Sequence, residues 1–231
     1  MDFQALIIGA GVSGSEAAYA LARKGIRVSL LTQSLDTVYL PFTPLSEPGP
    51  AESLMSQVGV AGMGGWELHA KAKYVLEAEA NIHLFQSSAT RLIVEGGRVI
   101  GVETWEGPKR FAPKVVVALG SFLGSKLYIG DAVEEAGRLS EAAYPDLYQD
   151  LLGRGFGFIE QEAEVPAQAG SPGYRVRYQV FASGEWERET FRLRRVEGLY
   201  GLGLCVLGQG SYLQMSLEGM RFAQNFPVEN R

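Results

Sequence analysis

Glycines 9, 11 and 14 form a G-x-G-x-x-G run that follows the all-apolar stretch Ala5-Leu6-Ile7-Ile8 and precedes a segment with helical spacing. Between a strand and a helix, that run is the pattern of a dinucleotide-binding turn. Gly9 permits the tight turn, Gly11 lets the backbone approach a pyrophosphate, and Gly14 lets the helix pack close to the strand. Unpaired N–H groups at the helix start and the positive end of the helix dipole then face the anion. An acid about 20 residues further on normally holds the adenosine ribose. Here the second strand ends in Thr32-Gln33, so neutral groups must make that contact. Read without a ligand, the same residues are a glycine-rich turn that eases packing.

Further apolar-run-to-glycine junctions repeat the theme. Leu119-Gly120-Ser121 ends the apolar run that begins at Lys114, and it either approaches the same ligand or serves as a plain turn. Near the end of the chain, Leu204-Cys205-Val206-Leu207 reads as a strand, Gly208-Gln209-Gly210 as a turn, and Ser211 as the N-cap of a helix reaching Phe222. A helix start in a glycine-rich turn suits an electron-rich target such as the N1–C2 carbonyl edge of a flavin. An NAD-only fold needs no such element. Cys205, inside the expected strand, reads as a small core residue rather than a reactive thiol. His69 and His83 have no partner at a recognisable spacing, and with 1 Cys and 2 His the chain lacks the soft ligands of a zinc site.

The elements that position these residues follow from periodicity. Ala17, Ala18, Leu21 and Ala22 fall on one face of a helix over residues 15–24, Gly25 stops it, and Val28-Ser29-Leu30-Leu31 completes a β-α-β unit. Residues 36–50 hold Pro41, Pro44, Pro48 and Pro50 without periodicity, which predicts a long loop at the cofactor face, a candidate lid. Leu68, Ala72, Val75 and Leu76 predict a helix over 66–80, residues 82–85 and 90–94 read as strands, and Gly96-Gly97 joins 92–94 to 99–102 as a hairpin. Over 173–196, Tyr174, Val176, Tyr178 and Val180 alternate with Arg175, Arg177 and Gln179, then a turn at Ser183-Gly184 leads to Arg192, Arg194 and Arg195. That basic ribbon is either a solvated face or a phosphate-contacting strip.

A chain of 231 residues with 46% hydrophobic and 20% charged residues can bury a real core, and its length suits one domain. The net charge of −5 opposes strong free-standing nucleic-acid binding, which needs a basic surface to release counterions. No apolar run reaches the ~20 residues of a membrane helix. Met1-Asp2-Phe3 lacks the basic start of a signal peptide. A cytoplasmic protein without a membrane partner is expected.

The order of motifs resembles the glucose-inhibited division protein A family (GidA, also called MnmG), FAD enzymes that modify the wobble uridine of transfer RNA. The matching text is Ile8-Gly9-Ala10-Gly11-Val12-Ser13-Gly14-Ser15-Glu16-Ala17-Ala18, Leu30-Leu31-Thr32, Leu35-Asp36-Thr37, Phe85-Gln86, residues 115–123, Ile129-Gly130, Pro172-Gly173-Tyr174 and Gly208-Gln209. The resemblance implies that Gly9, Gly11, Ser13 and Gly14 hold the pyrophosphate of FAD, Thr32 and Gln33 face the adenosine ribose, and the backbone near Ser88-Ala89 meets adenine. It further implies that Gly120 and Ser121 lie along the cofactor, and that Gly208, Gln209, Gly210 and Ser211 lie near the flavin ring. The sequence departs from the family in its loop Val38-Tyr39-Leu40-Pro41-Phe42-Thr43-Pro44, where a cysteine-asparagine-proline motif should stand. Only residues 167–171 occupy the place of the family's large middle domain, and its C-terminal helical region is missing before Arg231.

The expectation is a doubly wound, Rossmann-like α/β FAD-binding domain over residues 1–231 with an antiparallel β-ribbon inserted at about 172–197. Its expected activity is that of a flavin-dependent oxidoreductase. The competing reading is a non-catalytic flavin-binding module acting as a subunit or sensor, favoured by the missing thiol. A protein partner or a second copy of the chain is the expected associate, and strong autonomous tRNA binding is not expected.

Overall fold

The computed structural model describes residues 3–167 and 170–227. Met1 and Asp2 of the expected signal-free start, Gln168 and Ala169 of the shortened 167–171 segment, and residues 228–231 lie outside the described residues. The chain begins with β1 (Ala5–Ile8), α1 (Val12–Arg23) and β2 (Val28–Thr32), the expected β-α-β unit. After the irregular 36–50 stretch come α2 (Leu54–Val58), α3 (Gly65–Ala78) and β3 (Ile82–Gln86). An antiparallel excursion, β4 (Ala89–Glu95), β5 (Arg98–Thr104) and β6 (Lys109–Phe111), precedes β7 (Val115–Val117). Next come β8 (Lys126–Ile129), β9 (Ala132–Glu134), β10 (Ala136–Arg138), β11 (Glu141–Ala142) and α4 (Pro145–Gly153). The chain then runs through β12 (Phe158–Val165), β13 (Tyr174–Phe181), β14 (Leu199–Gly201), α5 (Leu204–Leu207) and α6 (Tyr212–Gln224).

The central sheet runs in the order β14-β7-β1-β2-β3, with every pairing parallel. Such a sheet must be covered on both faces, and strand alternation shows how. Ala5, Ile7, Val28, Leu30 and Val116 pack with apolar residues of α1, α3 and α6 on one side. Leu6, Ile8, Leu31, Val115 and Val117 pack on the other with Leu92, Val99 and Val102 of β4 and β5 and Leu147 and Leu151 of α4. The strand ends therefore converge on the glycine turn after β1. Gly96 and Gly97 both have positive φ (56° and 80°), the conformation a two-residue hairpin turn demands, and they join β4 to β5 in antiparallel register.

The structure differs from the sequence expectations in the second half. Residues 204–207 are the short helix α5, and the strand that enters the sheet is β14, immediately upstream. A four-residue apolar run fits a buried strand or a buried helical turn equally well, and Gly203 at φ 72° redirects the chain after β14. The ribbon is also displaced. β13 pairs along its whole length with β12, and β8 flanks it on the other side, in the four-stranded order β12-β13-β8-β9. Residues 192–198, just before β14, make only isolated bridges: Leu193 with Trp186, Arg192 with Tyr200 and Glu197 with Arg98. The partner that periodicity did not reveal is the acidic face of β12. Glu162 lies opposite Arg177 and Glu164 opposite Arg175, and cross-strand charge pairs of this kind fix register.

Candidate functional site

The three glycines of the turn have different physical reasons to be glycine. A Cβ on Gly9 (φ +108°) would sit 2.3 Å from the Ala118 carbonyl oxygen, and one on Gly14 would sit 2.0 Å from the Gly9 carbonyl oxygen. Both are demanded by the close approach of β1, α1 and the segment after β7. Gly11 is different: its φ is −71°, and an added Cβ would meet nothing within 4 Å. The chain itself gives no reason for a glycine there. Gly11 opens onto a cleft lined by Gly9, Ser13, Thr32, Gln33, Gly120 and Ser121 among others.

This cleft has the donor set of an anion site. No side chain caps the start of α1 at Gly11, so the dipole and the first-turn N–H groups of a 12-residue helix face the opening. Ser13 Oγ is buried with no hydrogen-bond partner, and a buried hydroxyl without a partner costs free energy that a ligand oxygen would recover. These observations fit the pyrophosphate of a dinucleotide. Thr32 Oγ1 donates to Ser34 O at 3.2 Å and accepts from Ser34 N–H at 3.4 Å, and Thr32 lines the cleft wall. Gly120 adopts φ 58° with open space beside it, whereas Ser121 Oγ is already committed to Gly137 O at 3.0 Å.

The other candidate residues separate from this group. Ser88 lines a second hollow, which shares Gln33 with the main cleft, and the Ala89 side chain is buried in the core. The C-terminal turn does not line the main cleft. The Gly208 carbonyl accepts the Tyr178 hydroxyl, Gln209 is exposed, and Ser211 caps α6 by accepting from Gln214 N–H at 3.2 Å. Gly210 and Ser211 line an adjoining hollow instead. The C-terminal contribution to the main cleft comes from Gly203, Leu204, Tyr212 and Met215. The C-terminal glycine that meets the turn after β1 is Gly203, whose Cβ would lie 2.9 Å from Ser13 Oγ.

The loop expected as a lid is fastened across the cleft. Tyr39 N–H donates to Ala10 O at 2.8 Å, and the Tyr39 hydroxyl donates to Glu16 Oε1 at 2.6 Å. Arg138 donates to Leu40 O at 2.8 Å and Pro41 O at 2.9 Å, with its guanidinium 4.6 Å from the centre of the Phe42 ring. The Tyr212 hydroxyl accepts from Phe42 N–H at 2.7 Å and Thr43 N–H at 3.1 Å, while Thr37 Oγ1 donates to Glu141 Oε2 at 2.9 Å. Sequence reasoning missed Arg138, Glu141 and Tyr212, all of which line the cleft. Burial pushes the Glu141 carboxyl above the usual carboxylate range, against the pull of the Thr37 hydroxyl and the Arg138 charge.

Beneath the cleft wall, Glu218 of α6 accepts from the Gly203 N–H. Burial pushes its carboxyl up to about 7, opposed by the Gly203 N–H and by Arg221. A folded-state pKa above the unfolded one means stability that is intact at low pH and lost as pH rises from about 4.5 through 7. Relative to wild type, Glu218→Gln is therefore expected to gain about 2 kcal/mol between pH 5 and pH 8. Urea unfolding at both pH values checks this, and an offset that does not change with pH would contradict it.

The remaining reactive residues have structural roles. Cys205 is buried, its thiol donates to Leu202 O at 3.0 Å, and burial pushes its pKa up to about 12, so it holds no thiolate at neutral pH. His69 Nδ1 lies 2.6 Å from Val38 O, and His83 stacks with Phe85 at 6.0 Å. Arg175 and Arg177 pair with Glu162 at 3.7 and 2.7 Å, as a solvated face does. Among the described residues no cluster of metal ligands occurs, and no helix is long and apolar enough to cross a membrane.

A parallel sheet, a glycine turn under an uncapped helix and a cleft across the strand ends define a Rossmann-like α/β domain. The chain belongs to the family described as Glucose inhibited division protein A, whose profile it matches over residues 4–57 and 60–163. It is similar to the tRNA uridine 5-carboxymethylaminomethyl modification enzyme MnmG of Syntrophobacter fumaroxidans, 32% identical over 200 residues, covering 73% of this chain and 31% of that protein. The MnmG of Chlamydia trachomatis serovar A is 30% identical, with 73% of this chain and 33% of that protein covered. The chain thus spans about a third of the length of these curated relatives. Among solved structures, the GidA-related protein from Thermus thermophilus is 55% identical with a TM-score of 0.91, covering 97% of this chain and 98% of that one. Aquifex aeolicus GidA shares the fold at a TM-score of 0.85 and 16% identity, over 96% of this chain and 62% of that one.

Proposed function

We propose that the chain binds FAD in the cleft over Gly11 and acts as a flavin-dependent oxidoreductase. The observation that carries this reading is the combination at the start of α1: an open glycine that the fold does not require, an uncapped helix terminus and the unpartnered buried Ser13 hydroxyl. Membership of an FAD-binding family supports it. In this reading the N–H groups of residues 11–13 and Ser13 Oγ hold the pyrophosphate, and Thr32 and Gln33 hydrogen-bond the ribose hydroxyls. Gly120 and Gly203 let backbone approach the cofactor closely. Arg138 and Tyr212 keep the 37–43 loop over the cleft and exclude water from it. FAD, when bound, supplies two-electron transfer, and the protein supplies orientation and electrostatics.

The full RNA-modifying activity named for the relatives is not assigned to this chain, which covers about a third of their length. With a net charge of −5, it is read as having no strong affinity of its own for tRNA, and a protein partner or second copy would supply such contacts. The experiment is anaerobic addition of NADH or NADPH to the FAD-loaded protein. Bleaching of the visible flavin absorption is the expected result, and a flavin left oxidised by both donors would contradict the oxidoreductase assignment.

A further inference from the structure

A second hollow, which shares Gln33 with the cleft, is lined by an aromatic side chain that the core does not bury. Trp105, just after β5, is 71% exposed, although a tryptophan normally places most of its surface against the core. Its backbone, by contrast, is fixed. Trp105 N–H donates to Ser88 O at 3.0 Å, and Ser87 donates its hydroxyl to the carboxylate of the next residue, Glu106. Gly107 N–H closes the turn onto Thr104 O at 2.8 Å, and Thr104 N–H and its hydroxyl both reach Pro108 O at 3.1 Å. Ser87 N–H in turn donates to Thr32 O at 2.8 Å, tying the turn to the strand end that carries the ribose-facing residues. The indole therefore stands on a rigid support beside a hollow lined by Gln33, Gln86, Ser87 and Ser88, and Gln33 also lines the main cleft.

We propose that Trp105 is a stacking platform for the purine base of the dinucleotide, so that the chain recognises adenine by an aromatic face in addition to backbone near Ser88. This rests on the proposed reading of the cleft as an FAD site. The physical logic is preorganisation: a base that stacks on an indole carried by a backbone-fixed turn buries apolar surface on both partners without ordering a loop. Base–aromatic stacking of this kind is sequence-tolerant and typically accounts for about tenfold or more in affinity. The Ser87–Glu106 and Trp105–Ser88 bonds act as positioning contacts for the turn.

The test is calorimetric binding of FAD, ADP and FMN to flavin-free wild type, Trp105→Ala and Trp105→Phe, with thermal unfolding of each variant. An exposed side chain adds little to stability, so all three should unfold within a few degrees of one another. The expected result is a loss of about tenfold for both FAD and ADP in Trp105→Ala, retention of most of that affinity in Trp105→Phe, and no effect on FMN, which lacks the purine. ADP and FAD affinities unchanged by Trp105→Ala would overturn the inference while leaving the FAD site standing. Failure of wild type to bind FAD or ADP would overturn both. An equal loss for FMN would also overturn it, because the indole would then act on the flavin half or on the fold.

Discussion

Gly11→Val is expected to give a protein that folds as wild type does and holds no flavin. The two halves of that result have separate causes. Gly11 has φ −71°, accessible to any residue, and no atom within 4 Å of an added Cβ, so the fold tolerates a side chain there. The space the isopropyl group enters is the mouth of the cleft over the first turn of α1, where the pyrophosphate must approach the backbone. FAD affinity should fall by roughly 100-fold or more, while the stability of the flavin-free protein should change by less than about 0.5 kcal/mol. Gly14→Ala makes the contrast. A Cβ at that position lies 2.0 Å from the Gly9 carbonyl oxygen, so the fold itself should be damaged. Equal destabilisation by the two changes would mean that Gly11 is a packing glycine and that the cleft lacks the role given to it.

The second large effect is expected at Glu16, which the sequence shows only as one polar residue within an apolar helix. Its side chain is buried and accepts from Leu54 N–H and Met55 N–H at 2.9 Å each, from the Tyr39 hydroxyl at 2.6 Å and from Ser216 Oγ at 2.9 Å. One carboxylate thus ties α1 to the base of the 37–43 loop, to the start of α2 and to α6. Burial pushes its pKa up while these donors pull it back down, so the charge itself brings little net stability. The larger effect is what removal leaves behind, because every donor loses its partner in a dry interior. Glu16→Ala should cost about 3–4 kcal/mol, a large share of the roughly 5–15 kcal/mol typical of a domain. Urea unfolding measures it directly. A loss under about 1 kcal/mol would show that the donors find other partners and that Glu16 is not the tie described.

How much of this was legible in the sequence depended on the range of the interaction. The β1–turn–α1 unit is local: an apolar run, glycines at fixed offsets and helical spacing all lie within residues 5–24 and all point the same way. Gly96-Gly97 announced its hairpin for the same reason. The C-terminal segment was harder, since Leu204-Cys205-Val206-Leu207 has no periodicity that separates strand from helix, and β14 with Gly203 at φ 72° supplied the context that decided it. The arginines of β13 were visible, but their partner strand was not, because a solvated acidic strand such as β12 carries little apolar signal. The clamp on the loop left no trace in the sequence. Arg138 reaches Leu40 across 98 positions and Tyr212 reaches Phe42 across 170, distances at which spacing carries no information without the fold.

The most direct measurement for the central claim is the visible absorption spectrum of the purified protein before and after incubation with excess FAD and desalting, with acid-released cofactor identified by mass. The predicted result is flavin absorption at close to one FAD per chain in wild type and none in Gly11→Val. A wild-type protein that remains colourless after incubation, with no FAD released by acid, would contradict the account.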